Sequence, residues 1–407
     1  MDETTQAVRD MYEQYPYPAG SPQLRAGSDA RLLLSYVERA RPAGGLIRVL
    51  DAGCGRGLGV LGSAMLQPRV SFLGVDINRV ALEEASARAK EMGLANVRIQ
   101  ECDLMTLDGL DVPPGGFDVI YSLGVVHHMS QPEVGLRNLR EVLAPHGVIC
   151  FMVYAELGRL PLRRVTDASH LLLDESAPLA DRMAVGRCVA GFARGTVMHN
   201  TFWEPTANVN DVEFVDRCLN VNEACYDVSS LWRLIGEAGL RFIRWLEPQE
   251  WSAADVFPEG ELRERAAKLQ ELDQYRLIEK LCERNAFEMI LAREDNSPRR
   301  PVTLESLDKQ HFAVNPDVSL LFEKRNLRGS QRVERLSYRI RHREPVVLPR
   351  GELATAAHAL ENQTEPFNMD LWLQAMGKVG LNAEQARAAL LKLVQLEVLY
   401  TPHPGDV

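Results

Sequence analysis

A run of small residues between two apolar stretches carries the first chemical signal of the chain. Residues 49–59 read Val-Leu-Asp-Ala-Gly-Cys-Gly-Arg-Gly-Leu-Gly, with Gly53, Gly55 and Gly57 at alternate positions. Glycines in such a turn let a ligand approach the backbone closely, and the helix that follows offers unpaired N–H groups. Glycine clusters also mark ordinary strand-to-helix turns, so this loop alone does not identify a ligand.

Three aspartates near the glycine loop indicate which kind of ligand it could bind. Asp51, Asp76 and Asp103 each follow an apolar stretch that predicts a strand, and in a parallel sheet such strand ends share one ligand-binding edge. Asp76 comes about 20 residues after Gly57, the offset at which a carboxylate can bind both hydroxyls of a ribose. Asp103 could accept a hydrogen bond from an adenine amino group. The alternative is three helix-capping aspartates on a generic α/β sheet.

The elements that must position these residues alternate strand and helix with short connections, which predicts parallel β-α-β units. Strands are predicted at 48–52, 71–75, 97–101, 117–121, 147–154, 241–245 and 286–293, and helices at 58–66, 78–92, 132–143 and 228–238. The sequence thus predicts a doubly wound α/β fold. A dinucleotide-binding domain of this class normally shows Gly-x-Gly-x-x-Gly, whereas here the third glycine comes one residue early.

The motifs resemble those of class I S-adenosylmethionine-dependent methyltransferases. The resemblance rests on residues 49–59, 74–76, 101–103 and 117–130. It implies a Rossmann-like sheet of seven strands in the order 3-2-1-4-5-7-6, with a helical insertion and a small, mostly α C-terminal domain. Residues 12–18, Tyr-Glu-Gln-Tyr-Pro-Tyr-Pro, are similar to a segment of a bacterial methyltransferase subgroup.

The resemblance also implies roles for individual residues. It assigns cofactor binding to Asp51, Gly53, Gly55, Gly57, Asp76, Ile77, Asp103, Leu104 and Leu123. Asp51 and the glycines would surround the amino-acid end of S-adenosylmethionine, Asp76 would hold the ribose, and Asp103 would contact the adenine edge. The implied product is S-adenosylhomocysteine, and no metal is expected.

Aromatic and histidine residues are the candidates for the acceptor side. Tyr12, Tyr15 and Tyr17 could form a flap over the cofactor that excludes water, because two X-Pro steps hold this segment extended. Packing of the tyrosines against the sheet edge is the alternative. His127 and His128 follow the fourth predicted strand, where one could act as a general base or shape the pocket. Further candidates to line the acceptor site are Tyr154, His199 and Trp203.

The length of 407 residues predicts more than one domain. We expect an N-terminal lid or helical segment at 1–44 and a methyltransferase domain at 45–294. Within that domain, 155–226 is predicted to be a substrate-cap insertion and 259–284 a helical insertion. Residues 300–407 are expected to form a winged-helix-like or helical accessory domain, through which the protein could form a homodimer.

Net charge and hydropathy limit the classes of partner and the cellular location that we expect for this protein. The net charge of −10 argues against nucleic acid as a partner, although the stretch from 297 to 350 is locally basic. No apolar run is long enough to predict a membrane span, and the acidic, polar start is unlike a secretory signal, so a cytoplasmic location is expected.

The predicted activity is methyl transfer from S-adenosylmethionine to an N or O acceptor. Because the chain exceeds a minimal methyltransferase, the expected acceptor is a protein or peptide side chain or another bulky substrate. Two alternatives stay open: a natural-product small-molecule methyltransferase, and a catalytically inactive methyltransferase-fold interaction protein.

Overall fold

The computed structural model describes residues 1–20, 23–173, 177–192, 210–327, 330–341 and 343–403. The chain folds into two compact units. The first comprises Met1–Gly27 and Leu46–Asp295, and the second comprises Ser28–Gly45 and Asn296–Val407. Each unit has its own buried core.

The first unit contains one sheet of seven strands in the order β3-β2-β1-β4-β5-β7-β6. The strands are β1 (Ile47–Ala52), β2 (Val70–Asp76), β3 (Val97–Glu101), β4 (Phe117–Leu123), β5 (Leu143–Tyr154), β6 (Leu240–Trp245) and β7 (Ala286–Arg293). Strands β1 to β5 pair in parallel, whereas β7 runs antiparallel to both β5 and β6. The predicted Rossmann-like fold and its strand order are confirmed.

The helices within the described residues are α1 (Glu3–Gln14), α2 (Ala30–Leu34), α3 (Leu58–Leu66), α4 (Arg79–Glu91), α5 (Pro132–Val142), α6 (Glu156–Leu172), α7 (Leu179–Phe192), α8 (Asp211–Cys218), α9 (Val228–Glu237), α10 (Ala253–Val256), α11 (Glu261–Ala266), α12 (Glu271–Leu281), α13 (Glu352–His358), α14 (Met369–Lys378) and α15 (Ala383–Gln395). Short 3-10 helices lie at Val126–His128, Pro248–Trp251 and Leu304–Lys309. Helices α6, α7 and α8 lie within the predicted insertion at 155–226, and α11 and α12 lie within the predicted insertion at 259–284.

Local sequence explains why the elements at the ligand-binding edge begin and end where they do. Strand β4 is buried at every position except Leu123, as expected for a central strand covered by helices on both faces. Asn78 caps α4 by accepting a hydrogen bond from the backbone N–H of Ala81 at 3.0 Å. Pro132 stands in the first turn of α5, where its missing N–H costs nothing. The strand ends therefore meet helix starts along one edge of the sheet.

The second unit combines helices α13 to α15 with antiparallel strands. Strands β9 (Val318–Leu327) and β10 (Ser330–Ile340) form a long hairpin that β11 (Val346–Val347) extends, and β8 (Ala313–Val314) pairs with β12 (Leu399–Tyr400). This hairpin was not predicted from the sequence.

Residues 28–45 belong to the second unit, whereas 1–44 was predicted to be one N-terminal segment. Backbone hydrogen bonds explain the difference, since the N–H of Glu38 donates to the carbonyl of Ser297 at 2.9 Å. In addition, Val37 forms a β-bridge with Pro298, and its carbonyl bonds the ring of His403. Within this segment, the residues up to Gly27 pack with the sheet of seven strands.

Candidate active site

A cavity of about 330 Å³ lies at the carboxyl ends of β1, β2 and β4, within the first unit. Of the sequence-predicted site residues, its walls include Tyr12, Tyr17, Gly53, Gly55, Asp76, Ile77, Asp103, Leu104, Leu123, His128 and Tyr154. Four predicted site residues, Tyr15, Asp51, Gly57 and His127, are not part of its lining. His199 and Trp203 lie outside the described residues. The predicted glycine, aspartate and tyrosine residues therefore converge on one cavity from distant parts of the chain.

The glycine loop is held in a conformation that larger residues cannot adopt. The N–H groups of Gly53 and Cys54 both donate to the carbonyl of Val75 at 2.8 Å, which ties the loop to β2. Gly53 has a φ of +88°, and a Cβ there would lie 2.3 Å from the side chain of Val125. Gly57 packs against Ala85 of α4 instead of facing the cavity. Gly53 therefore allows the loop after β4 to approach, and Gly57 allows α3 and α4 to pack closely.

Asp76 joins the end of β2 to the glycine loop. One carboxylate oxygen, Oδ2, accepts the N–H of Gly55 at 2.8 Å, and the other, Oδ1, accepts the N–H of Asn78 at 2.9 Å. Burial raises the pKa of Asp76, and the backbone hydrogen bonds from Asn78, Gly55 and Ile77 oppose this rise. Each carboxylate oxygen can accept more than one hydrogen bond and Asp76 lines the cavity, so the carboxylate can still accept from two ligand hydroxyls.

Asp103 has an unused acceptor in the cavity wall. Its Oδ1 accepts the N–H of Met105 at 2.9 Å, whereas its Oδ2 is buried without a hydrogen-bond partner. A buried carboxylate oxygen without a donor is costly, and a ligand amino group would remove that cost. The apolar side chains of Ile77 and Leu104 stand beside it in the same wall. This arrangement fits an adenine ring, with its amino group on Asp103 and its faces against apolar residues.

Asp51 lies behind the loop and does not line the cavity. Burial, and then the negative charge of Asp76, raises the pKa of Asp51 to about 7. The backbone N–H of Val60 donates to this carboxyl and opposes the rise. Near neutral pH, the free protein therefore holds a partly protonated acid close to a second carboxylate.

This raised pKa predicts that cofactor affinity depends on pH. A cationic amino group brought into the cavity favours the ionised form of Asp51, so ligand and proton compete. We expect the affinity for S-adenosylhomocysteine to fall by up to about tenfold per pH unit below pH 7. Calorimetric titrations across this range test the dependence, and the Asp51→Asn variant should flatten it. An affinity of the wild-type protein that does not change with pH would contradict this role for Asp51.

The two adjacent histidines occupy different environments. His128 lines the cavity, and its Nδ1 lies 2.8 Å from the carbonyl oxygen of Asn222. Since a carbonyl only accepts, Nδ1 carries the proton and Nε2 keeps a free lone pair. His127 is fully buried, and both of its ring nitrogens lack a partner. Burial lowers the pKa of both imidazoles, so both are neutral at pH 7.

The histidines should therefore respond differently to substitution. The general-base role predicted for His128 implies that changing it to phenylalanine reduces the rate of methyl transfer by about 100-fold, because such groups contribute about 10²–10⁴. The matched change His127→Phe should leave the rate within about threefold, because His127 has no access to the cavity.

His127→Phe should also make the protein more resistant to acid. The unfolded chain protonates this imidazole below about pH 6.5 but the folded chain does not, so native His127 lowers the free energy of unfolding as pH falls. Denaturant unfolding at several pH values, beside turnover assays of both variants, checks both expectations. Equal loss of activity in the two variants would show that the assignment of the two histidines is wrong.

The remaining wall of the cavity is aromatic and acidic. The hydroxyl of Tyr12 donates to Oδ1 of Asp216 at 2.8 Å, and both residues line the cavity together with Tyr17 and Tyr154. Asp216 is only 5% exposed, and burial raises its pKa to about 6. The guanidinium of Arg159 lies 3.8 Å from the centre of the Tyr154 ring. The wall therefore presents one carboxylate among three tyrosine rings.

The N-terminal segment is tied over the cavity by polar contacts. Arg56, in the glycine loop, donates from Nη1 to the carbonyls of Pro18 at 2.6 Å and Gly20 at 2.9 Å. At the other end of the segment, the hydroxyl of Ser130 donates to Asp2 at 2.8 Å. Tyr12 and Tyr17 of this segment line the cavity. Tyr15 does not line the cavity, although both Tyr12 and Tyr15 pack against the buried cluster formed with α6, α7 and α8.

Asp216, Arg159 and the asparagines near residue 220 were not predicted from the sequence. Asp216 stands in the run Phe214-Val215-Asp216, as an acidic residue that follows two apolar ones on a buried stretch of α8. A charge at such a position was the available signal, but no motif accompanies it. In the described part of the chain, no group of three or more His, Cys, Asp or Glu side chains is placed to bind a metal ion. No described helix has the length and apolar character of a membrane span.

Comparisons with known proteins identify relatives of the chain. Residues 45–199 match the family model described as a methyltransferase domain. The uncharacterized protein syc1184_c of Synechococcus sp. is 32% identical over 308 residues, which make up 72% of each chain. The ubiquinone biosynthesis O-methyltransferase of Ralstonia nicotianae is 28% identical over 35% of this chain and 57% of that protein.

Solved structures share the fold. The structure of PKMT2 from Rickettsia typhi superposes with a TM-score of 0.65 at 16% identity, covering 95% of this chain and 78% of that one. A second structure of PKMT2, in complex with AdoHcy, superposes with a TM-score of 0.63 at 17% identity. The glycine loop, the aspartates beside it and these relatives lead to one conclusion: the chain belongs to the methyltransferase domain family.

Proposed function

We propose that this protein transfers the methyl group of S-adenosylmethionine to an amine nitrogen on a protein or peptide side chain. The observation that carries the proposal is Asp216, a buried carboxylate in the cavity wall among the rings of Tyr12, Tyr17 and Tyr154. A cationic amine is the acceptor that such a wall favours, because it pairs with the carboxylate and is attracted to aromatic faces.

One part of the cavity binds the cofactor, and the other part binds the acceptor and prepares it for methyl transfer. Asp76 and Asp103 bind and orient the adenosyl group, and the bound cofactor supplies an electrophilic methyl group. The segment that carries Tyr12 and Tyr17 covers the cavity and excludes water, so that position and desolvation supply much of the rate. An ammonium group cannot attack, so the acceptor must first lose a proton. Nε2 of neutral His128, which also lines the cavity, can hold that proton.

The size of the cavity favours a slender acceptor. A volume of about 330 Å³ lies at the lower end of ligand cavities, so little space remains beside a bound cofactor. A side chain that enters end-on fits this space better than a bulky ring system.

Asp216 and Arg159 come from the helices between 155 and 226, which agrees with a recognition role for that insertion. The Tyr-Pro-Tyr-Pro segment supports membership of the subgroup predicted from the sequence.

The acceptor class can be tested with a labelled methyl donor. Purified protein would be incubated with cell extract and radiolabelled S-adenosylmethionine, and protein, RNA and small-molecule fractions would then be separated. We expect label in the protein fraction, and none with the Asp76→Ala variant. Label only in small molecules would replace this proposal with small-molecule methylation, the activity that the name of the Ralstonia relative suggests. If neither S-adenosylmethionine nor S-adenosylhomocysteine gives a heat of binding, the result favours the alternative of a catalytically inactive methyltransferase-fold interaction protein.

A further inference from the structure

A short turn, Asn220-Val221-Asn222, reaches both polar groups of the acceptor wall. Asn220 donates from Nδ2 to the hydroxyl oxygen of Tyr12 at 3.0 Å. The side-chain amide of Asn222 donates to the carbonyls of His128 at 3.1 Å and Met129 at 2.8 Å. The backbone carbonyl oxygen of Asn222 accepts a hydrogen bond from Nδ1 of His128 at 2.8 Å. The turn thus contacts the two side chains that would face the acceptor.

The hydrogen bonds around Asn220 can run in only one direction. The backbone N–H of Asn222 can only donate, and it lies 3.2 Å from Oδ1 of Asn220. The amide oxygen is therefore committed to the turn, and the NH₂ group must face Tyr12. Since the Tyr12 oxygen accepts from that NH₂ group, its single proton is left for Asp216, whose Oδ1 lies 2.8 Å away. If the side-chain amide of Asn220 were turned the other way, its NH₂ group would face the N–H of Asn222, and two donors would meet.

We propose that Asn220 is a positioning residue of the acceptor site, which aims the Tyr12 hydroxyl proton at Asp216 and so keeps this carboxylate oriented and ionised. This inference rests on the proposed function, in which Asp216 binds the amine. Asn220 itself does not line the cavity, so it acts through Tyr12. No sequence motif marks it.

The hydrogen bond from Tyr12 is one of several interactions that raise or lower the pKa of Asp216. Burial raises the pKa of Asp216, and Tyr12 contributes the largest opposing effect. The positive charges of Arg159 and Arg217 also lower this pKa, whereas the negative charge of Glu213 raises it. Loss of the oriented tyrosine proton would therefore move Asp216 toward its neutral form near physiological pH, and a neutral carboxyl group no longer attracts an ammonium group.

The turn also joins two parts of the chain that are far apart in sequence. Tyr12 belongs to the N-terminal segment, whereas Asn220 and Asp216 belong to the insertion. Covering of the cavity by the N-terminal segment and orientation of the acceptor carboxylate are thus linked through one hydroxyl group. A change that removes the Tyr12 hydroxyl therefore also removes a hydrogen bond from Asp216.

The substitution Asn220→Asp separates this role from simple support of the turn. An introduced carboxylate can still accept the N–H of Asn222, so the turn is kept, but its second oxygen competes with Asp216 for the Tyr12 proton. We expect kcat/KM for the acceptor to fall by about 10–100-fold, with S-adenosylhomocysteine affinity unchanged within about twofold. Asn220→Ala, which loses both contacts, is the comparison variant. If the aspartate variant matches the wild type and only the alanine variant is impaired, Asn220 merely supports the turn.

A double-mutant cycle tests whether the effect passes through Tyr12. In the Tyr12→Phe background, Asn220→Asp should lower kcat/KM by less than about twofold, because the hydroxyl whose orientation it controls is absent. Effects that multiply would overturn the proposal.

A measurement on the free protein keeps this test separate from the identity of the acceptor. NMR of isotope-labelled aspartate carboxyl groups, with Asp216→Asn for assignment, gives the pKa of Asp216 directly. We expect a value of about 6 in the wild type, and a rise of about one unit in both Asn220→Asp and Tyr12→Phe. An unchanged pKa in both variants would overturn the positioning role even if amine methylation is observed. The predicted rise without amine methylation would contradict only the proposed function.

Discussion

Replacing Asp76 with alanine is expected to weaken the binding of S-adenosylhomocysteine by at least about 100-fold. Each hydrogen bond to a charged group is worth about 1.5–3 kcal/mol, and the variant loses the acceptors for two ribose hydroxyls. It also loses the 2.8 Å hydrogen bond that holds Gly55 in the cofactor loop. Calorimetric titration of the variant measures the effect.

Asp118 provides a matched control for this loss. It is a buried aspartate in the same sheet, it accepts the N–H of Arg48 at 2.7 Å, and it does not line the cavity. Asp118→Ala should lower the free energy of unfolding but leave the affinity of the folded protein unchanged. Unchanged affinity in Asp76→Ala, or equal losses in both variants, would show that Asp76 does not hold the ribose.

Replacing Asp216 with asparagine is expected to reduce kcat/KM for the acceptor by at least about 100-fold, with cofactor affinity unchanged. The substitution keeps the size of the side chain and an oxygen for the Tyr12 hydroxyl, but it removes the charge that attracts an ammonium group. A buried charge pair loses about 3–5 kcal/mol when one partner is removed. Steady-state kinetics together with calorimetry separate the two effects.

Glu213 offers the control for charge alone. It lies one helical turn before Asp216 on α8 and is outside the cavity lining. Glu213→Gln removes the same charge and should leave kcat/KM within about twofold. The wild-type activity should also decline as pH falls below about 6, where Asp216 takes up a proton. If both variants lose activity equally, the effect comes from long-range charge instead of contact with the acceptor.

The cofactor half of the site was predictable from the sequence because its parts are local. The glycine loop, Asp76 and Asp103 each stand at the end of a predicted strand, and the parallel sheet brings those ends together at one edge. Strand order followed from the methyltransferase resemblance and is confirmed. Asp51 and Gly57 show the limit of this reasoning, since both belong to the motif and neither lines the cavity. Motif membership does not distinguish a ligand contact from a packing position.

The acceptor half could not be predicted because it depends on contacts between distant segments. Tyr12 and Asp216 are separated by 204 positions, and no periodic pattern or motif relates them. The adjacent residues His127 and His128 carry the same side chain, yet one is sealed in the core and the other lines the cavity. Both residues stand in the 3-10 helix Val126–His128, in which successive side chains point about 120° apart.

Chemical analysis of the transferred methyl group tests the central claim most directly. After incubation with labelled S-adenosylmethionine, the isolated acceptor would be treated with base and then hydrolysed to amino acids. Transfer to an amine predicts label that resists base and that is recovered as an N-methylated amino acid, at a level at least about 100-fold lower with Asp216→Asn. Label released by base as methanol, or label that persists undiminished in the Asp216→Asn variant, would contradict the account.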